Sequence, residues 1–271
     1  ILYMQKFWRL GRIIMAICLA LCFTSCGASH KTVFEGEPKS EAEAAYRAAV
    51  KTLESGSYED SIKAFHAIKL KFPYATRWAT LCDLRIGDAY RNAGDYTQAA
   101  VTYQSFIRTY PSHSEIAYAS YQAANCYYEL MPSSVFILPD PWQRDRKSTT
   151  QAESALASFL RRYPNDENAP AARVQYDEVQ RRLANHELYV AEYNFKNKAY
   201  LGAVNRLNDL IKTYPNAEIA PKAHILLAHS YIKLKDPIQA KKALTQLVEK
   251  YPTSDYASDA KAWIARNPDV K

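Results

Sequence analysis

"TLCDLRIGDAYRNAGDYTQAAVTYQSFIRTYPSH", residues 80–113, is the stretch from which the fold of this chain can be read. Ile86, Gly87 and Tyr90 fall on one face of a helical pattern. "AGDY" (93–96) breaks that pattern, and Ala99, Tyr103 and Phe106 then mark the inner face of a second helix. Pro111 ends the unit, because proline cannot continue a helix and pushes the preceding Tyr110 away from helical backbone angles. Gly87 and Ala99 are small enough to let the two helices approach closely, and the aromatic side chains fill the space beside them.

The same closing phrase recurs at "AIKLKFPYATRWA", "SFLRRYPNDENAP", "DLIKTYPNAEIAP" and "QLVEKYPTSDYAS". Its prolines are Pro73, Pro111, Pro164, Pro215 and Pro252, at intervals of 38, 53, 51 and 37 residues. Recurrence at such a period marks a helical repeat, and the large-small-aromatic, Ala-aromatic, Pro frame resembles the tetratricopeptide repeat. Gly56, Tyr58, Ser61 and Phe65 keep the frame in the first unit; Leu227, Ala228, Tyr231, Ala240 and Leu244 keep it in the fifth. Ala123, Ala124, Tyr127, Ala152, Leu156 and Phe159 carry the third, and Ala191, Ala203 and Leu207 the fourth. The two long intervals have separate causes. "MPSSVFILPDPWQRDR" (131–146) inserts a proline-rich loop in the third unit, with Ser148 or Thr149 expected to cap the helix after it. Residues 171–196, free of Gly and Pro, read as an extended first helix of the fourth.

The expected fold is therefore all-α, a solenoid of five tetratricopeptide-like helix pairs with a capping helix. The units lie at about 42–75, 80–113, 115–166, 170–217 and 220–252 within a repeat domain at 41–270. "TSDYASDAKAWIARN" supplies the cap over 254–266, with Ser254 before its first turn. Seven glycines in 271 residues and 48% apolar content agree with a helical chain.

At the amino terminus Lys6, Arg9 and Arg12 precede the apolar run "IIMAICLALCF" (13–23), and the first 25 residues hold no acid. This is the pattern of an export signal over 1–25, too short to span a membrane, with Met4 as its expected start. Phe23-Thr24-Ser25-Cys26 resembles the bacterial lipobox, although the motif prefers Leu where Phe23 stands. The resemblance implies a lipid, palmitate included, on Cys26, and a tether over 26–40. Gly27, in place of an inner-membrane Asp, points to the outer membrane. Net charge is +7; without the three signal residues, 32 basic and 28 acidic residues leave +4, which gives nucleic acid no footprint. Cys82 and Cys126 read as small core residues, with a disulfide as the alternative.

No motif carries catalytic or metal chemistry. The six histidines form no HExxH, His224 and His229 sit on different helix faces, and GxSxG, GxxxxGK and GxGxxG are absent. Most of the 20 tyrosines after residue 25 occupy packing positions. Phe136, Trp142 and Arg144 in the loop and Trp78 before the second unit lie where packing does not ask for them, and so stand out as contact residues. "WQRDRK" (142–147) suits phospholipid headgroups or an acidic partner surface, with a solvated loop as the equal alternative.

"RLANHELYVAEYNFKNKAYLGAVNRLNDLIKTYP" (182–215) resembles the fourth-repeat segment of the BamD family, tetratricopeptide lipoproteins of the β-barrel assembly machinery. "DPWQRDRKSTTQAESALASFLRRYP" (140–164) is similar to the family's third repeat. "FKNK" departs from it where relatives often carry Gly. The resemblance implies a non-enzymatic scaffold on the periplasmic face of the outer membrane, without cofactor or metal. It would bind the POTRA domains of the barrel subunit, unfolded outer-membrane proteins and further accessory lipoproteins. Carried over, Glu192, Tyr193, Asn205 and Arg206 fall in the docking half, with bracing of two helices as the alternative for Glu192 and Arg206. Tyr74, Trp78 and Arg85 are placed in the substrate groove. Two other classes remain open: a repeat lipoprotein that coordinates the cell envelope, and a SusD-like glycan binder.

Overall fold

The structure, a computed structural model, describes residues 39–132 and 146–270. Eleven helices and no strand occur among these residues. In order they are α1 (Glu41–Glu54), α2 (Tyr58–Lys71), α3 (Thr76–Asn92), α4 (Tyr96–Thr109), α5 (Ile116–Glu129), α6 (Lys147–Arg162), α7 (Ala169–Lys196), α8 (Tyr200–Thr213), α9 (Ala220–Lys233), α10 (Pro237–Lys250) and α11 (Asp255–Arg266). Each packs chiefly on its neighbours in sequence. They form five antiparallel A/B pairs, the all-α solenoid that the repeat implies, with α11 covering the last pair. First helices of successive pairs also pack together (α1 with α3, α5 with α7, α7 with α9), with no packing of that extent between second helices, so the A layer lines the inside of the curve.

The recurrent aromatic-proline step has one geometry. Phe72, Tyr110, Tyr163, Tyr214 and Tyr251 each end a B helix with φ between −123° and −131° and ψ between 55° and 60°. Proline at the next position disfavours helical angles here, so the helix stops. Each of these residues still donates its N–H to the carbonyl four residues back and accepts from the N–H three residues ahead, closing a turn into the next A helix.

The turn inside each described pair needs a left-handed residue just past the C-cap. Gly56 (φ 85°) and Gly94 (φ 82°) supply it in the first two pairs, Lys198 (φ 62°) and Lys235 (φ 61°) in the last two. Asp95 and Asp236 then cap α4 and α10 by accepting from Gln98 N and Gln239 N.

Packing within the second pair follows the small-residue logic. A Cβ on Gly87 would stand 2.8 Å from Cε1 of Tyr103, a fully buried ring. Ser61 is buried in the small position of the first pair and donates to Tyr58 O at 2.7 Å. Cys82 and Cys126 are buried and unbonded, and burial pushes both thiols up to about 12.

One capping expectation is corrected: Arg146, not Ser148 or Thr149, stands at the N-cap of α6, because the helix already begins at Lys147. Ser254 stands at the N-cap of α11 as expected, although its hydroxyl makes no capping hydrogen bond.

At 28 residues α7 is twice the length of most helices here. Its first half packs on the third pair, where Gln175 donates to Asn125 Oδ1 and Gln180 to Glu153 Oε1, both at 2.6 Å. Its second half pairs with α8. One apolar core, with Met131, Leu156 and Phe159, ends at Leu183, and the next, running through Leu207 and Leu247, begins at Leu188. The helix is thus the seam between two cores.

Candidate functional site

Glu187 lies on that seam. It is 8% exposed and interrupts the apolar series Leu183, Ala184, Leu188, Ala191 on the buried face of α7. A buried carboxylate needs partners, and it has two. Arg146 Nη1 donates to Oε1 at 2.6 Å, and Arg206 Nη1 donates to Oε2 at 3.1 Å. Both guanidinium groups remain about half exposed (45% and 47%). One carboxylate against two guanidiniums leaves a positive excess at the surface. Close by, burial raises the Tyr214 hydroxyl to about 12, reinforced by the charge of Glu153 and then Glu187.

The four docking residues named from sequence sit along the end of α7 and the start of α8. Glu192 pairs with Lys222 of α9 at 2.7 Å, so it links the fourth pair to the fifth rather than meeting Arg206. Tyr193 is 61% exposed, and Asn205 is exposed on α8. Around them the A-to-B turn edge of the last two pairs carries exposed Leu201, Ile232, Leu234 and Ile238. The matching second positions of α2 and α4 are Glu59 and Thr97, so this apolar edge belongs to the carboxy-terminal pairs.

The groove trio does not form a site. Tyr74 stands in the turn before α3, 96% exposed. Trp78 packs into the α1–α3 seam, its ring 5.2 Å from that of Tyr46. Arg85 is 4% exposed and belongs to the core, which corrects its placement in a groove. It donates to Asp88 Oδ2 at 2.6 Å and to the Tyr46 hydroxyl at 3.2 Å. Burial works against its charge, yet the adjacent Asp88 carboxylate holds its pKa above the ordinary value. Asp88 Oδ1 accepts in turn from the hydroxyls of Tyr103 (2.6 Å) and Tyr118 (2.7 Å), so the Arg85–Asp88 pair ties α1, α3, α4 and α5 together. Cys26, Phe136, Trp142 and Arg144 lie outside the described residues.

Two surface clefts open between B helices, on the outer face. One of ≈ 440 Å³ lies between α2 and α4 beside the Lys69–Asp83 ion pair. Another of ≈ 290 Å³ lies between α4 and α6, with Arg108, Tyr127 and Arg162 in its wall. Among the described residues no cluster of His, Cys, Asp and Glu could hold a metal, and no helix is long and apolar enough to cross a membrane.

A family model described as "YfiO: Outer membrane lipoprotein" matches residues 38–242, which takes in the seam, the docking edge and most of the repeats. The chain belongs to the YfiO family. A relative from Caulobacter vibrioides, named outer membrane protein assembly factor BamD, is 27% identical over 250 residues, covering 91% of this chain and 78% of the relative. The protein of the same name from Neisseria gonorrhoeae is 25% identical over 253 residues, 92% of this chain and 94% of that one. The one from Vibrio cholerae is 27% identical over 236 residues, 85% and 95% respectively. These matches bear out the resemblance to the BamD family drawn from residues 182–215.

Proposed function

We propose that this chain is a non-enzymatic scaffold lipoprotein of outer-membrane β-barrel assembly. It is held at the periplasmic face of the outer membrane by lipid on Cys26, and it docks the POTRA domains of the barrel subunit through its last two helix pairs. The observation that carries the role is the YfiO family match over 38–242, together with relatives named as BamD assembly factors over nearly the whole chain. That match favours this role over a cell-envelope coordinator or a SusD-like glycan binder.

The docking half of the proposal draws support from the A-to-B turn edge. Tyr193 and Leu201 present apolar area beside Asn205, and Arg206 keeps 47% of its side chain exposed while only one of its terminal nitrogens serves Glu187. An aromatic anchor beside a partly desolvated guanidinium suits a partner surface bearing a carboxylate. Glu187 braces Arg206 without consuming it, so bracing and docking are compatible. Unfolded barrel proteins and further accessory lipoproteins are proposed to use the amino-terminal pairs.

Affinity purification of the chain from detergent-solubilised outer membrane tests this reading. A POTRA-bearing barrel protein is expected with the native chain and several-fold less with Arg206→Glu. Recovery of only glycan transporters or peptidoglycan binders would overturn the assignment.

A further inference from the structure

Leu70 and Tyr74 are the two most exposed large apolar side chains among the described residues, at 83% and 96%. They lie four residues apart, at the end of α2 and in the turn to α3. Exposure of this degree at one turn has no packing explanation among the described residues. Exposed Lys71 and Arg77 flank the pair, and the Arg77 guanidinium lies 5.0 Å over the ring of Trp78. Leucine and tyrosine beside lysine and arginine is a composition that settles at a lipid headgroup boundary, where apolar side chains enter the apolar layer and cations meet phosphates.

The position of the patch singles out the occupant. Lys71 Nζ lies 3.6 Å from Glu41 Oε2, so the end of α2 stands beside the first residue of α1. That is the point from which the chain runs back toward Cys26. Residues 27–38, even fully extended, span at most about 40 Å. The patch and the start of the described chain therefore lie at the same corner of the solenoid, and a tether of that length lets a lipid on Cys26 and the patch meet one bilayer surface.

We propose that the turn at residues 70–77 rests in the headgroup layer of the membrane that holds the lipid, as a second contact beside the acyl chains. The inference depends on the anchoring at Cys26 proposed above. A lipid chain alone sets distance but not orientation, whereas a second contact at this corner fixes both. It turns the B-to-A edge of the first pairs toward the bilayer. The A-to-B edge, with Tyr193 and Leu201, then faces away from the lipid and toward partners.

The test uses the mature lipoprotein with Tyr74→Cys, labelled with an environment-sensitive fluorophore; Cys82 and Cys126 are buried and do not compete for the reagent. Protein is reconstituted into phosphatidylethanolamine–phosphatidylglycerol vesicles containing a nitroxide-lipid quencher, and Leu201→Cys serves as the reference position. Quenching at 74 several-fold above that at 201, and its loss on adding Leu70→Glu, are expected. Both positions are exposed, so circular dichroism should show the helices intact. Vesicles that float with their protein but show equal quenching at 74 and 201 overturn the contact alone. Protein left behind when the vesicles float overturns the lipid anchor as well.

Discussion

Replacing Gly87 by alanine sets two effects of opposite sign against each other. In an exposed helix interior the exchange stabilises by about 1 kcal/mol, because glycine carries the larger conformational entropy cost. Here the new methyl would lie 2.8 Å from Cε1 and 2.9 Å from Cδ1 of Tyr103. Carbon pairs are at rest near ~3.5–4.0 Å, so the ring has to retreat by more than about half an ångström. It has nowhere to go: the ring is fully buried, and its hydroxyl is held by Asp88 at 2.6 Å. Overpacking of this kind costs about 1–3 kcal/mol, and a ring with no room to retreat puts the cost in the upper half of that range, about 2–3 kcal/mol. The propensity gain of about 1 kcal/mol then leaves a net loss of about 1–2 kcal/mol. For a repeat domain of this size that lowers Tm by roughly 2–8 °C. Scanning calorimetry of Gly87→Ala measures it, and Gly202→Ala is the internal control. There the nearest atom is the amide nitrogen of Asn194 at 3.3 Å, the far end of a side chain that can swing aside, so that variant should match or exceed the native Tm. A Gly87→Ala protein as stable as the native chain would refute the packing argument.

Lys198 and Lys235 hold left-handed angles that suit glycine, so Lys198→Gly and Lys235→Gly should each stabilise by about 0.5–1 kcal/mol in urea titrations. Gly56→Ala and Gly94→Ala should lose a comparable amount. Asp88→Asn leaves the buried Arg85 charge uncompensated and should cost about 3–5 kcal/mol, and adding Arg85→Met should recover part of that in a double-mutant cycle. His224 is fully buried, its Nδ1 3.2 Å from Ala243 O, and burial lowers its pKa from 6.5 to about 4. Between those values the unfolded chain binds the extra proton, so stability falls as pH drops from 6.5 to 4, by about 2–3 kcal/mol in all. His224→Leu should flatten that slope in chemical denaturation series.

Local features of this fold are written where local chemistry dictates them. Proline at 73, 111, 164, 215 and 252 acts on the one residue before it, so the ends of all five B helices are legible from sequence. The same holds for Gly56 and Gly94 at the first two turns, and for the unbroken run that becomes α7. Arg85 was not legible, because its partner Tyr46, and Tyr118 on its counter-ion Asp88, are far away in sequence and brought close only by stacking of three pairs. Glu187 could have been found: a carboxylate on the apolar face of a helix must meet a cation, and Arg206 follows one helix later. The link to Arg146 could not, since it depends on where the inserted segment returns to the solenoid. Glu192 and Arg206 sit together in the "AEY…VNR" wording, but the helices direct them to different partners, Lys222 and Glu187.

The most direct test of the proposed role is to deplete the chain in its own bacterium and follow folded, heat-modifiable barrel proteins in the outer membrane. Folded barrels are expected to fall and unfolded forms to accumulate in the periplasm, and the native chain is expected to restore them better than Arg206→Glu. Unchanged levels of folded barrel proteins after depletion would contradict that role.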